Sequence, residues 1–142
     1  MAKQQLSNIT IYTDGSYHQH LSALGSAWIR TTSDGERKEQ GYCIQSPHNN
    51  KGGSLLGELI AVSEALRELT NDMGRCAVTI HTDCKIICDT AEKNEWAHRI
   101  EKSKQDSLME AWAELEQQVH KHDVTFDFEF DQCDPKLLEA HY

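Results

Sequence analysis

One phrase occurs twice in this chain. Ile9-Thr10-Ile11-Tyr12-Thr13-Asp14 and Val78-Thr79-Ile80-His81-Thr82-Asp83 share an order of residue types: β-branched, Thr, Ile, ring, Thr, Asp. Such residues favour strands, so each phrase predicts a short strand with a carboxylate at its carboxyl end. If the two strands are parallel neighbours in register, Asp14 and Asp83 lie about 5 Å apart across the sheet. Two carboxylates that close repel unless a cation lies between them. Taken singly, either Asp is equally well a loop cap. The repetition, with a helix between the copies, favours the pair.

That helix is the clearest in the chain. Leu55, Leu59, Val62, Leu66 and Leu69 alternate spacings of four and three, which puts them on one face. Ser54 is the expected N-cap and Gly74 the expected stop. Before it, strands are predicted over Leu6–Thr13, Gly25–Thr32 and Glu39–Gln45, with Gly15-Ser16 turning the first and Ser33-Asp34-Gly35 joining the second and third. After it come the Val78–Asp83 strand and a helix from Lys85 to about Ala97. A break at Lys102–Gln105 leads to a helix capped by Asp106, with the stripe Leu108, Trp112, Leu115, Val119. Val124–Phe130 alternates as a fifth strand, and Asp134-Pro135 opens a short last helix. The order β-β-β-α-β-α-α-β-α implies an antiparallel set of hairpins running into βαβ crossovers. The first, fourth and fifth strands are then parallel, in an α/β fold with helices on both faces.

Length and composition set the class. The 142 residues fit one domain, 1–142, without linkers or repeat arrays. No apolar run is long enough for a membrane span, and the polar N-terminus lacks the apolar core of a signal peptide, so a cytoplasmic protein with no membrane partner is expected. The five cysteines are odd in number without CxxC spacing, which fits reduced thiols. Cys84 and Cys88 lack the second pair that a zinc site needs, and the pairs His18/His20 and His120/His122 read as solvent-facing. Acidic residues outnumber basic ones, 23 to 14, giving a net charge of −9. A general electrostatic nucleic-acid binder shows the opposite balance. An acidic metal centre with a small local basic surface is compatible with it, and predicts weak, salt-sensitive binding to a polyanion.

Glu58 is the third carboxylate. It falls near the start of the first helix, one residue before Leu59 of the apolar stripe. On helical pattern alone such a Glu is a flank residue reaching solvent. If the preceding loop carries the helix start back over the sheet, Glu58 instead aims at the strand ends bearing Asp14 and Asp83. Three converging oxygen donors suit a hard divalent cation, magnesium or manganese.

These residues resemble the type 1 ribonuclease H family. The resemblance is carried by Tyr12-Thr13-Asp14-Gly15-Ser16, by Gly57-Glu58-Leu59-Ile60-Ala61-Val62 followed by Glu64-Ala65-Leu66, and by Thr82-Asp83-Cys84-Lys85 opening a helix. It implies an RNase H-like five-stranded mixed sheet of order 3-2-1-4-5, with strands 1–3 antiparallel and 1-4-5 parallel. The implied activity is endonucleolytic hydrolysis of the RNA strand of an RNA–DNA hybrid. It would use two Mg2+ or Mn2+ ions about 4 Å apart. In that scheme Asp14 bridges both ions, and Glu58 and Asp83 each complete one shell. One ion helps deprotonate the attacking water, and the other stabilises the leaving 3′ oxygen. Ser16 and Lys85, beside the carboxylates, are assigned to the nucleic acid. Asn49, Asn50 and Lys51 fall where the family grips the minor groove. The hybrid duplex is the expected partner and a monomer the expected state.

The chain departs from the family pattern at its end. The family carries a fourth carboxylate in the first turn of its last helix. Here Asp131-Gln132-Cys133-Asp134-Pro135-Lys136-Leu137-Leu138-Glu139-Ala140-His141-Tyr142 offers two placements. At near-constant loop length, His141 takes the fourth ligand position. With a shortened loop, Asp134 or Asp131 does. His141 is favoured, and an imidazole there predicts a bias toward manganese. The mobile Gly-His loop after the fifth strand has no equivalent. The basic, Trp-rich handle is reduced to Trp96, His98, Arg99, Lys102 and Lys104 within Glu95–Lys104. Trp96 is as readily a core residue as a nucleic-acid contact. The alternative to an active enzyme is a catalytically weak or inactive interaction module with the same fold.

Overall fold

A computed structural model describes residues 6–18, 23–45 and 53–128, with side chains described at 6–15, 25–41 and 55–128. Its strands are β1 (Asn8–His18), β2 (Ala23–Thr32), β3 (Arg37–Gln45), β4 (Ala77–Thr82) and β5 (Asp123–Phe128). Its helices are α1 (Gly53–Met73), α2 (Lys85–Lys93), α3 (Trp96–Lys102) and α4 (Asp106–His120). The sheet order is β3-β2-β1-β4-β5. The β1–β2 and β2–β3 pairs are antiparallel, and β1–β4 and β4–β5 parallel.

The repeated phrases are neighbours in register. Ile9 pairs with Val78, Ile11 with Ile80 and Tyr12 with His81. Ile9, Ile11, Val78 and Ile80 turn to one face and are buried there. Against them packs the α1 stripe, with Leu59, Val62, Leu66 and Leu69 all fully buried. Ile87 of α2, Trp96 of α3 and Trp112 and Leu115 of α4 complete the same cluster. Each large apolar side chain buried in this way contributes roughly 1.5–3 kcal/mol before chain entropy is charged against it. Gly74, at φ +74°, ends α1 with its N–H on the Thr70 carbonyl at 3.0 Å, as the sequence predicted.

Three local expectations are corrected. Gly15-Ser16 does not turn the first strand. β1 runs on to His18, because β2 continues beside it and pairs Asp14 with Ala27 and Gly15 with Ser26. Asp14 therefore lies inside a strand, just past the last β1–β4 rung at Tyr12 and His81. The predicted helix from Lys85 to Ala97 is two helices. Asn94 adopts a left-handed conformation (φ 53°, ψ 47°) and Glu95 N–H closes on the Thr90 carbonyl at 2.9 Å. The bend swings Trp96 inward, where it meets Trp112 edge-on at 6.1 Å. Finally, α4 starts with Asp106 in its first turn and Gln105 at the cap.

His122 does not face solvent. It is buried, Nδ1 accepts from the Cys76 N–H at 3.1 Å, and Nε2 lies 2.8 Å from Thr70 Oγ1. The Thr70 hydroxyl in turn donates to the Leu66 carbonyl at 2.9 Å. One imidazole thus ties the end of α1 to the starts of β4 and β5. The His18/His20 pair, and the last helix expected from Asp134, lie outside the described side chains.

Candidate active site

Three elements deliver three carboxylates. Asp14 comes from β1 where it parts from β4, and Asp83 from the bend after β4. Glu58 comes from the second turn of α1. Their ligand oxygens all lie within 4.8 Å of one another. Among the described residues this is the one group of His, Cys, Asp or Glu side chains arranged to hold an ion.

The placement of Glu58 follows from small residues beneath it. A Cβ on Gly15 would stand 2.3 Å from the Glu58 backbone nitrogen and 2.4 Å from the Gly57 carbonyl carbon. Only glycine lets α1 settle this low on the sheet. One rung across, Ser26 Oγ donates to the Gly57 carbonyl at 2.9 Å. Asp83 is held differently. The Cys84 N–H donates to Thr82 Oγ1 at 3.1 Å, which closes a tight turn around the aspartate and leads into α2.

Electrostatics mark the same spot. Glu58 is 6% exposed. Burial first, then the charges of Asp83 and Asp14, push its carboxyl up to about 10, against a hydrogen bond from the Gly15 backbone. Its Oε2 is buried with no hydrogen-bond partner. A buried oxygen left unsatisfied beside two further carboxylates is costly, and a divalent cation removes the cost. The donor set is all oxygen and suits magnesium or manganese.

The surroundings sort the remaining residues. Tyr12 and His81 stack at 4.6 Å, and His81 Nδ1 lies 3.2 Å from Asp127 Oδ2, forming a row across β1, β4 and β5 on the face carrying Asp14. Sequence reading missed this row. Lys85 is exposed and lines a groove between α2 and β5 with Cys88, Asp89 and Phe126. Burial pushes the Cys84 thiol up to about 12 and that of Cys88 to about 11. Arg99, Lys102 and Lys104 border a cleft of about 570 Å³ with Trp112 and Leu108. Trp96, at 2% exposed, is core and unavailable to a ligand.

The side chain of Ser16, and all of Asn49, Asn50, Lys51, Asp131, Asp134 and His141, lie outside the described residues. Ser26 also escaped the sequence reading. The available signal was the Gly25-Ser26-Ala27 run in β2, whose small residues mark a close approach of another backbone.

The RNase H family model matches residues 6–128. Solved structures share the fold. RNase H1 from the halophilic archaeon Halobacterium salinarum is 13% identical, with 94% of this chain and 93% of that one covered at a TM-score of 0.70. LC9-RNase H1, a type 1 RNase H with the type 2 active-site motif, is 20% identical, with coverages of 99% and 71% and a TM-score of 0.73. LC11-RNase H1, solved in complex with an RNA/DNA hybrid, is 19% identical, with coverages of 93% and 92% and a TM-score of 0.69. No curated protein sequence matches.

Proposed function

This chain belongs to the ribonuclease H family, and from that premise we propose that it is a metal-dependent endonuclease cleaving the RNA strand of RNA–DNA hybrids. The observation that carries the proposal is the convergence of Asp14, Glu58 and Asp83, with Glu58 buried and one of its oxygens unpartnered. A scaffold without turnover has no need to keep a self-repelling cluster.

Asp14, Glu58 and Asp83 are the residues that would hold Mg2+ or Mn2+, with His141, or else Asp134, as the fourth ligand. Bound divalent ions supply an activated water and charge stabilisation at the leaving 3′ oxygen. The chain's own part is positional. The Gly15 and Ser26 floor sets the height of Glu58, and the Thr82 turn sets Asp83. The exchange of the Glu58 proton for a cation couples ion binding to pH. Water attacks phosphorus, the bond to the 3′ oxygen breaks, and the products end in a 5′-phosphate and a 3′-hydroxyl. Strand choice rests on 2′-hydroxyls and duplex width more than on sequence. Ser16, Asn49, Asn50, Lys51 and Lys85 are the proposed contacts, with Arg99, Lys102 and Lys104 as the local basic surface on an acidic protein. Cytoplasmic location and a monomeric state belong to the same reading.

A hybrid-cleavage assay with Mg2+ and with Mn2+ tests the function. The wild type is expected to cleave hybrid and to spare single-stranded RNA and duplex DNA, and Asp14→Asn to abolish turnover while staying folded. A folded wild type that binds hybrid without cleaving it in either metal would support the inactive module instead. A manganese bias would support His141 as ligand, and equal rates would count against it.

A further inference from the structure

We propose that Ser26 is a positioning residue for Glu58, fixing the α1 carboxylate over the site through the Gly57–Glu58 peptide. This role rests on the metal-site reading above. The peptide is gripped from the two ends of one rung of the sheet. Gly15 and Ser26 face each other across β1 and β2. The Gly15 Cα presses close to the peptide, so that a Cβ there would come within 2.4 Å of both Gly57 C and Glu58 N. That contact limits how low the helix can sit, and only pushes. The Ser26 hydroxyl pulls, donating to the Gly57 oxygen at 2.9 Å across 31 residues of sequence.

Together the two contacts fix height and rotation at the residue bearing the carboxylate. Rotation matters because the Glu58 side chain extends well off the helix axis, and its oxygen must stay within 4.8 Å of those of Asp14 and Asp83. The Ser26 bond resists any turn of the helix that would carry the Glu58 oxygen away from those of Asp14 and Asp83. Ser26 is 2% exposed, so water cannot replace the bond. Ser63 gives the contrast. It lies on the same helix and is also buried, yet its hydroxyl has no partner, so it anchors nothing.

The experiment is calorimetric Mn2+ titration of the full chain, without nucleic acid. It compares wild type, Ser26→Ala, Ser26→Cys and Ser63→Ala, each checked by thermal unfolding in EDTA. Partners of metal ligands typically change affinity about 10–100-fold when lost, and Ser26 acts one step further back, so Ser26→Ala is expected to weaken Mn2+ binding about 3–10-fold. Ser26→Cys, with a weaker donor of similar shape, should fall between, and it carries the test if Ser26→Ala fails to fold. Ser63→Ala should bind as the wild type does. In hybrid cleavage, Ser26→Ala should raise the metal half-saturation and leave KM for hybrid unchanged. A wild type that binds Mn2+ with Ser26 variants binding equally well overturns the role and leaves the metal site standing. A folded wild type that binds no Mn2+ overturns both.

Discussion

Gly15 and Glu58 touch backbone to backbone, with a Cβ on Gly15 falling 2.3 Å from the Glu58 nitrogen. The glycine that follows the first aspartate therefore makes room for the helix carrying the second carboxylate. Gly15→Ala should push the start of α1 off the sheet. Overpacking of this kind costs about 1–3 kcal/mol, read by urea unfolding. Mn2+ affinity should fall with it. Unchanged stability and metal binding would show that the helix has slack here.

The ion-free site should respond to pH through Glu58. The folded protein holds a proton on Glu58 up to about 10, whereas the ordinary value is 4.5. Its contribution to stability is therefore full below about 4.5 and is lost as pH rises through about 10. In EDTA the thermal midpoint should decline as pH rises between about 4.5 and about 10, and Glu58→Gln should flatten that decline while removing cleavage. Mn2+ binding near neutrality should release about one proton per chain. Identical binding enthalpies in buffers of different ionisation heat would rule the release out.

His122 should weaken the fold on the acid side. Burial, with Arg75 and Lys121 nearby, holds its pKa below the ordinary 6.5 despite a hydrogen bond to the Leu66 backbone. Its Nδ1 already accepts from the Cys76 N–H, so a proton there would set donor against donor. Below pH 6.5 the unfolded chain gains a proton that the folded chain resists, and stability falls as pH drops through that window. His122→Phe should lower stability at pH 7.5 and show a shallower loss between pH 7.5 and pH 5.5. An unchanged slope would assign the acid sensitivity to other groups.

The α2–α3 joint should obey left-handed backbone chemistry. For a residue with a Cβ that conformation costs roughly 1–2 kcal/mol, which asparagine bears better than most. Asn94→Val should lower the unfolding free energy by about 1 kcal/mol and Asn94→Gly should be neutral or better. The opposite ranking would mean that the Asn94 side chain, rather than its backbone, sets the break.

Core and site should separate under mutation. Leu66 is fully buried on α1, two turns beyond Glu58. Leu66→Ala should cost about 2–5 kcal/mol in urea unfolding. At temperatures where the variant stays folded, its metal half-saturation in cleavage should stay near the wild-type value. A matching loss of metal affinity would mean that the whole helix, rather than its first turns, holds the carboxylate.

The two strand phrases, the α1 stripe and the glycine stop were legible because each is a local pattern. β-Branched alternation, apolar spacings of three and four, and a left-handed glycine all act within a few residues. Glu58 was legible only in part. Its position beside Leu59 fits a solvent-facing flank as well as a buried ligand, and the depth at which α1 sits on Gly15 decides between them. The helix break at Asn94 and the inward turn of His122 were hidden for a related reason. Asparagine is tolerated within a helix, and a histidine near a strand start is polar on any scale, until Trp112 and Thr70 supply partners from distant segments.

By itself the sequence determined the five strands and the first helix in their order, the register-ready pair Asp14 and Asp83, and the resemblance that the family match bears out. Only the tertiary structure decided that β1 runs on past Asp14, that Ser26 faces Gly15 and binds Gly57, and that Glu58 is buried rather than solvated. The reason is range. Strand and helix periodicity are written in neighbouring residues, whereas the height of a helix over a sheet depends on backbone contacts between residues some forty positions apart. A local run such as Gly25-Ser26-Ala27 marks where a backbone can come close, but not which backbone comes or how deep it sits.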